Sequence, residues 1–402
     1  MAHHPAPAPG SRWLALAVLT AARTAMGLQF QSVAAVSPLL MEHLHIANTE
    51  LGLLVGLFSL PGVLLALPGG LLGTRFGDRR VVLGGLALMA IGSALIGVAD
   101  TLTIAMLGRL LTAVGAVLLN VVMTKMVADW FARREIVWAM TIFINAWPVG
   151  IGIALFTLPA VARAWGLAAA FHASALFAVV ACIALLAFYR DPPAATRQPS
   201  SVGLRLLSRR EWGLVSLAAV PWTLYNVSYA VMLAFLPALL VRGGVSVEQA
   251  GALVGVQTML FIVSILAGGA LGQWVVRPAV GVAVGLLVLA GALWLLPHGP
   301  AAPILVVAGL FGGLPAGPLV AAPAAVLRAE SRGPGLGVFY TWYYAGMSLL
   351  PPIAGRMQDV YQGAAALTFA AVLLLFTLAG YVAFRVLGTR PVSHVEPARA
   401  IP

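Results

Sequence analysis

Long apolar stretches alternate with short polar or Pro/Gly-rich segments along almost all of the 402 residues. A helix that crosses about 30 Å of hydrocarbon needs roughly 20 mostly apolar residues, and twelve stretches of the chain meet this requirement. Helices are expected because an open sheet would leave unpaired backbone groups in lipid. The predicted spans lie at 13–40, 50–72, 80–99, 102–127, 136–160, 167–189, 212–240, 249–275, 279–297, 301–326, 335–355 and 364–386.

Composition supports an all-α membrane protein. Hydrophobic residues make up 61% of the chain and charged residues only 9%, whereas a soluble domain has roughly 45–50% apolar and about 25% charged residues. The first apolar stretch runs well beyond the apolar core of a cleaved signal peptide, so we expect it to be a retained span. The single cysteine, Cys182, excludes an intramolecular disulfide.

The basic residues give the expected orientation. The net charge is +11, but the arginines lie in short loops between apolar segments rather than in a dense run, which argues against a nucleic-acid partner. If the N-terminus is cytoplasmic, eighteen basic residues fall on the cytoplasmic side and three on the other. By the positive-inside rule, both termini are predicted to be cytoplasmic.

The two halves of the chain resemble each other at an offset of 199 residues. ELGLLVG at 50–56 aligns with QAGALVG at 249–255, GGLLG at 69–73 aligns with GGALG at 268–272, and Pro38 aligns with Pro237. Six spans followed by a linker and six further spans indicate two pseudo-symmetric bundles in the same orientation. The predicted segments are a cytoplasmic tail (1–12), an N-terminal bundle (13–189), a cytoplasmic linker (190–211), a C-terminal bundle (212–388) and a second tail (389–402).

Three motifs resemble those of the major facilitator superfamily. GLLGTRFGDRR, within 70–80, is similar to the loop signature between spans two and three, with Thr74 in place of the usual aspartate. GRLLTAVG at 108–115 is similar to the fourth-span motif and NAWPVGIG at 145–152 to the fifth-span motif. An arginine in span one followed by SVAAVSPLL looks like the bacterial cyanate-permease-like branch. The resemblance implies a twelve-helix transporter fold. Because small glycines permit close helix approach and arginines can pair in one conformation and separate in another, we expect this loop to act as a gate, and the alternative is that its arginines only anchor the topology. The expected gating residues are Gly70, Thr74, Arg75, Gly77, Asp78, Arg79 and Arg80.

Two arginines fall inside predicted spans, where each costs at least about 2.5–3.5 kcal/mol. Arg23 lies roughly 16 Å along span one and Arg109 roughly 10 Å into span four, at 1.5 Å per residue. All twelve carboxylates are predicted to lie in loops, termini or span edges. Two cations without a mid-membrane carboxylate favour an anionic substrate, because guanidinium suits carboxylates and planar oxyanions. The alternative, at each of the two positions, is an arginine that bonds to backbone carbonyls and serves only the structure.

Helical phase adds neighbours to these arginines. Asn120 lies close in phase to Arg109, and Gln31 flanks the face of Arg23. Aromatic faces in spans seven and eleven can stack on a substrate, although such faces more often serve packing. The expected substrate-binding residues are Arg23, Arg109, Gln31, Asn120, Asn145, Trp222, Tyr225, Asn226, Tyr229, Gln257, Tyr340 and Tyr343, with Tyr344 on the same face as the last two.

The sequence favours a secondary transporter of a small anion, monomeric and located in a bacterial inner membrane. It carries no phosphate-cradling loop, no metal-ligand cluster and no catalytic triad pattern, so we expect no cofactor, no metal and no enzymatic activity. Efflux of amphipathic drug-like compounds is the main alternative, and a transporter-like sensor or channel is a third. The sequence does not decide whether transport is coupled to a proton or to a counter-anion.

Overall fold

The computed structural model describes residues 9–65, 75–131, 135–191, 207–274, 278–328 and 331–388, and every regular element in them is helical. The N-terminal half contains α1 (Pro9–Ala35), α2 (Ser37–Leu44), α3 (Asn48–Leu57), α4 (Leu60–Leu65), α5 (Asp78–Gly97), α6 (Leu102–Phe131), α7 (Ile136–Trp165) and α8 (Leu167–Phe188). The C-terminal half contains α9 (Arg209–Arg242), α10 (Val247–Trp274), α11 (Pro278–Leu295), α12 (Ala301–Gly312), α13 (Ala316–Ala321), a 3₁₀ turn (Ala322–Ala325), α14 (Arg332–Tyr361) and α15 (Ala365–Gly388).

The helices match the predicted spans closely. Within the described residues, eleven segments are long and apolar enough to cross a membrane. The remaining predicted span, the eleventh (335–355), corresponds to α14, which has 30 residues but is less apolar because Tyr340, Tyr343 and Tyr344 lie within it. Three spans are interrupted: α1 breaks before α2, α3 before α4, and α12 before α13. The first break falls at Val36, just before Pro38, because proline cannot donate a backbone hydrogen bond.

Two glycine pairs hold the halves together, and they are the positions that the internal repeat aligns. Gly52 and Gly56 on α3 lie against the backbone of α14 at Pro351 and Ser348. Gly251 and Gly255 on α10 lie against Leu155, Phe156 and Pro159 of α7. A Cβ at any of these four glycines would collide with its neighbour, so small residues permit the approach, as is usual between membrane helices.

We call the contacts of α3 with α14 and of α10 with α7 the first and the second seam. A carboxylate fastens the first seam at the end of the bundle opposite the termini, which we call the distal end. Asp359 of α14 accepts hydrogen bonds from the backbone N–H groups of Asn48 (3.0 Å) and Thr49 (2.8 Å) and from both of their side chains. These donors form the first turn of α3, where an anion is also stabilised by the helix dipole. The second seam is fastened by an ion pair from Arg163 to Glu248 at 2.9 Å.

At the end that carries the termini, three contacts between described residues join elements of the same half. Lys125 contacts Asp78 (2.6 Å) and Asp129 (3.4 Å), and Arg79 donates to the carbonyl of Leu186 in the last turn of α8 (2.7 Å). In the C-terminal half, Glu211 at the start of α9 pairs with Arg328 (3.0 Å). Hydrogen bonds and an ion pair thus link the two halves at the centre and at the distal end, and among the described residues these contacts close the distal end.

The loop predicted to gate transport is partly described. Gly70 and Thr74 lie outside the described residues. Gly77 adopts φ 88°, a conformation that favours glycine, and the remaining charges, Arg75 and Arg80, are exposed. Asp78 pairs with Lys125 of its own half, so in this conformation it does not tie the N-terminal half to the C-terminal half.

We expect Asp359→Asn to weaken distal closure, because it removes the charge that Asn48 and Thr49 donate to. Hydrogen bonds to charged groups contribute about 1.5–3 kcal/mol each, so the equilibrium shifts toward distal opening by roughly that amount. The measurement is the distance distribution between spin labels on the distal loops of the two halves, in a Cys182→Ser background.

Asp100→Asn is the matched control, because Asp100 is also distal but its side chain is 90% exposed. Equal distances in wild type, Asp359→Asn and Asp100→Asn would contradict the assignment of Asp359 as a fastener.

Candidate substrate site

Arg109 is fully buried and its guanidinium is enclosed by protein. Nε donates to the carbonyl of Leu54 (3.0 Å), and the two terminal nitrogens donate to the carbonyls of Gln29 (2.7 Å) and Phe30 (2.8 Å). One face of the guanidinium lies 4.6 Å from the ring centroid of Phe58. Arg109 thus binds two helices of its own half, α1 and α3, to α6.

The end of α3 frees the carbonyl that Arg109 uses. In a regular helix the carbonyl of Leu54 would accept from the N–H of Phe58, but this N–H donates to Val55 instead, and the helix ends there. Carbonyls left over at helix ends need another donor when they are buried, and Nε of Arg109 supplies it. The geometry gives Arg109 a structural role, so the expectation that it contacts the substrate is not supported.

Arg23 differs from Arg109, because its side chain is only partly buried. One terminal nitrogen donates to Oδ1 of Asn120 (2.8 Å), and the guanidinium lies 4.6 Å from the ring centroid of Phe143. Its Nε is buried without a hydrogen-bond partner. Among the described residues no ion pair involves Arg23. The groups that contact its guanidinium there are a neutral amide and an aromatic ring.

A tyrosine-rich surface of the C-terminal half faces Arg23. Asn120 donates to the hydroxyl of Tyr344 at 3.1 Å, which links the two halves at the level of the arginine. Tyr340, Tyr343 and Tyr344 of α14 are close enough to interact electrostatically with Arg23. The ring of Trp222 lies 6.4 Å from that of Tyr343, and its indole N–H finds no partner among the described residues. The site therefore combines one cation with an aromatic wall.

The internal repeat relates the residues of the two halves that form this site. By the offset of 199 residues, Arg23 of α1 corresponds to Trp222 of α9, and Asn145 of α7 corresponds to Tyr344 of α14. Equivalent positions of the two halves thus carry different chemistry. Around Arg23, the N-terminal half contributes the charge, the amide of Asn120 and the ring of Phe143, and the C-terminal half contributes the tyrosines of α14.

Several other expected residues lie elsewhere. Gln31 is buried and donates to the carbonyl of Leu233 (3.4 Å), a contact between halves on the closed distal side. Tyr225 is buried and donates to the carbonyl of Gly312 (2.8 Å), so it packs the C-terminal half rather than facing the centre.

Four further candidates have local partners or none. Tyr229 stacks on Phe261 with ring centroids 4.2 Å apart and bonds to Thr258. Asn145 and Asn226 are partly buried and each donates to the carbonyl four residues earlier in its own helix. Gln257 is fully buried, and neither polar atom of its amide has a partner in the described residues. These geometries leave their contact with substrate a proposal.

Sequence reasoning missed two contributors. Phe143 stacks on Arg23, and no polar signal marks it among the many apolar residues of span five. Asp359 was expected only as a span-edge residue, yet it fastens the two halves. Its position beside a helix N-terminus of the other half follows only from the packing of α14 on α3.

The chain matches the Major Facilitator Superfamily family profile over residues 17–351. It is 28% identical over 128 residues to the inner membrane transport protein YajR of Escherichia coli (strain K12), a match that covers 32% of this chain and 28% of that protein. It is 24% identical over 142 residues to an uncharacterized transporter of Buchnera aphidicola subsp. Schizaphis graminum (strain Sg), covering 35% of each. The chain thus aligns with about a third of the length of these relatives.

Solved transporter structures share the fold. A bacterial homolog of the human lysosomal transporter Spinster, in an inward-facing and occupied conformation, matches with a TM-score of 0.78 at 17% identity, covering 96% of this chain and 100% of that one. A mutant of the nucleoside transporter NupG matches with a TM-score of 0.74 at 12% identity, covering 92% and 99%. At these identities the likeness concerns the fold alone.

We expect Arg109→Lys to destabilise the protein more than Arg23→Lys does. A lysine cannot reach three carbonyls in the planar arrangement that the guanidinium of Arg109 serves, and each buried acceptor left without a donor costs about 1–3 kcal/mol. Arg23 has one direct partner and partial exposure, so the same change there costs less. Thermal unfolding of the two purified variants tests this, and equal melting temperatures would contradict a structural role for Arg109.

Proposed function

The chain belongs to the major facilitator superfamily and is a multi-pass membrane transporter, and from this premise we propose that it moves a small anionic solute across a bacterial inner membrane by alternating access. The single observation that supports the proposal is Arg23, a partly buried arginine at the centre of the bundle without an acidic partner in the described residues. A carboxylate or oxyanion that binds there would balance the charge and accept from donors that are now unpaired.

The surroundings of Arg23 suit a small anion with one flat or apolar face. Asn120 and Tyr344 offer an amide and a hydroxyl within one hydrogen-bonded chain. Trp222, Tyr340 and Tyr343 supply aromatic surface. Because water-poor surroundings strengthen charge-assisted hydrogen bonds, one arginine with neutral donors is sufficient to favour an anion over a cation.

The distal closure supports the proposed mechanism. If the termini are cytoplasmic, as the positive-inside rule predicts, the seams at Asp359 and Arg163 close the periplasmic side and Arg23 is approached from the cytoplasm. Alternating access then requires these seams to separate while the terminal ends of the two halves approach. We propose that Asp78, Arg79 and their loop contribute to that second closure.

We expect Arg23→Gln to weaken binding and transport of the anion strongly. The readouts are uptake into proteoliposomes and the thermal shift of the purified protein across a panel of carboxylates and inorganic oxyanions. The substitution removes the central charge but keeps hydrogen-bond donors, so loss of a charge-assisted interaction predicts at least about a tenfold weaker affinity.

Arg12→Gln is the matched control for this test, because Arg12 lies on the same helix but pairs with Glu135 at the terminal end (3.1 Å). If Arg23→Gln keeps the thermal shift of every anion, the anion proposal is wrong. Stabilisation by cationic lipophiles alone would instead favour efflux of amphipathic compounds.

Asn120→Asp supplies a sharper test, because it places a carboxylate 2.8 Å from Arg23 without changing the size of the side chain. An internal counter-ion should compete with the substrate anion while leaving the unliganded protein at least as stable. We therefore expect the melting temperature without ligand to be kept and the anion-dependent shift to be lost. An unchanged anion shift in Asn120→Asp would show that the anion binds elsewhere.

A further inference from the structure

A large groove opens at the distal end of the C-terminal half, away from the central site. It has a volume of about 1200 Å³ and lies between the ends of α9, α11 and α14 and the start of α15. Leu240 and Leu296 form its buried floor. Val372, seven residues after the first residue of α15, also lines it, so the groove reaches roughly 10 Å along the helix axis from the distal end.

The rim of the groove is basic and its walls are apolar. Arg242 and His298 lie at the rim, and none of the lining residues is acidic. Arg242 is exposed, and in the described residues its guanidinium donates only to the carbonyl of Ala238 in its own helix (3.3 Å). The guanidinium is therefore free to bind a second acceptor at the mouth of the groove.

Aromatic residues place the rim at the level of lipid headgroups. Trp294 and Tyr361 line the groove and are 59% and 70% exposed. Tryptophan and tyrosine concentrate at both membrane–water interfaces, with their rings among the headgroups. The basic rim thus lies where phosphates are found, and the apolar part of the groove lies where acyl chains begin.

The N-terminal half lacks the equivalent arrangement. By the 199-residue offset, His43 takes the place of Arg242 and Ala99 that of His298. His43 bonds to the carbonyl of Ala99 (3.2 Å) and lies 3.9 Å from Asp100. In the N-terminal half, the side chain of His43 thus fills the equivalent place, and the acidic Asp100 lies beside it. The basic groove is therefore a property of the C-terminal half rather than of the fold.

We propose that this groove binds an anionic phospholipid, with its phosphate on Arg242 and His298 and an acyl chain along Leu239, Phe369 and Val372. Arginine binds phosphate in a bidentate, charge-assisted manner, and the apolar walls bury the chain at a favourable free energy per unit area. Because α14 also carries Asp359, a bound lipid would stabilise the helix that fastens the distal end.

Native mass spectrometry and thermal unfolding of the purified full-length protein test the proposal. The probes are phosphatidylglycerol and phosphatidylcholine with matched acyl chains, together with inorganic phosphate. We expect phosphatidylglycerol to bind about tenfold more tightly than phosphatidylcholine, as the loss of one charge-assisted interaction implies. Arg242→Gln should remove this preference, and Thr368→Trp, which fills the groove, should weaken binding of both lipids.

Arg356→Gln is the matched control, because Arg356 lies on α14 at the same end, is exposed and does not line the groove. Equal losses of phosphatidylglycerol binding in Arg242→Gln and Arg356→Gln would overturn the proposal in favour of general charge attraction. Equal binding of the two lipids by the wild type would also overturn it. Stabilisation by inorganic phosphate as large as that by phosphatidylglycerol would show a small-anion site instead.

Discussion

Hydrocarbon offers no hydrogen bonds, so a donor or acceptor that is buried in the membrane is costly unless it finds a partner within the protein. Each of the three guanidinium nitrogens of Arg109 finds one, because it donates to a carbonyl of α1 or α3. The same contacts satisfy a carbonyl that the interrupted end of α3 leaves over. We call Arg109 and these three carbonyls the clamp. The clamp permits α3 to end at Leu57 and at the same time joins α1 and α3 to α6.

The C-terminal half has no copy of this clamp. By the 199-residue offset, Arg109 corresponds to Ala308 and Phe58, which covers its guanidinium, corresponds to Gln257. Gln257 is fully buried without a partner in the described residues, and a small alanine stands where the arginine would be. The two halves share helix positions and glycine seams but not their polar interior. Both arginines inside the spans belong to the N-terminal half, and the tyrosines of α14 approach one of them, Arg23, from the other half.

Much of the fold followed from the sequence, because it depends on one-dimensional properties. Apolar stretches of sufficient length predict where the helices lie, although not the breaks within three of them or the ends of α7 and α14. The repeat singles out Gly52, Gly56, Gly251 and Gly255, which pack between the halves. Depth in the membrane also singled out both buried arginines. Helical phase does not distinguish the role of Arg109 from that of Arg23, because it does not say which side chain reaches a carbonyl of another helix.

The site residues show the same limit. Helical phase placed Asn120 beside Arg109, but in the structure Asn120 bonds to Arg23 across the interface of α1 and α6. It also grouped Tyr225 with Trp222, although the hydroxyl of Tyr225 turns to Gly312. A face of one helix is predictable from spacing, whereas the partner of each side chain depends on how the helices cross.

The two seams differ in how they respond to dissolved ions. Arg163 is 71% exposed where it meets Glu248, so mobile counter-ions screen this pair. Asp359 instead binds N–H groups at the start of a helix, over distances too short for counter-ions to intervene. Rising ionic strength is therefore expected to loosen α7 from α10 before it loosens α3 from α14, so the distal end would open asymmetrically, with the glycine-packed contact of α3 and α14 kept longest.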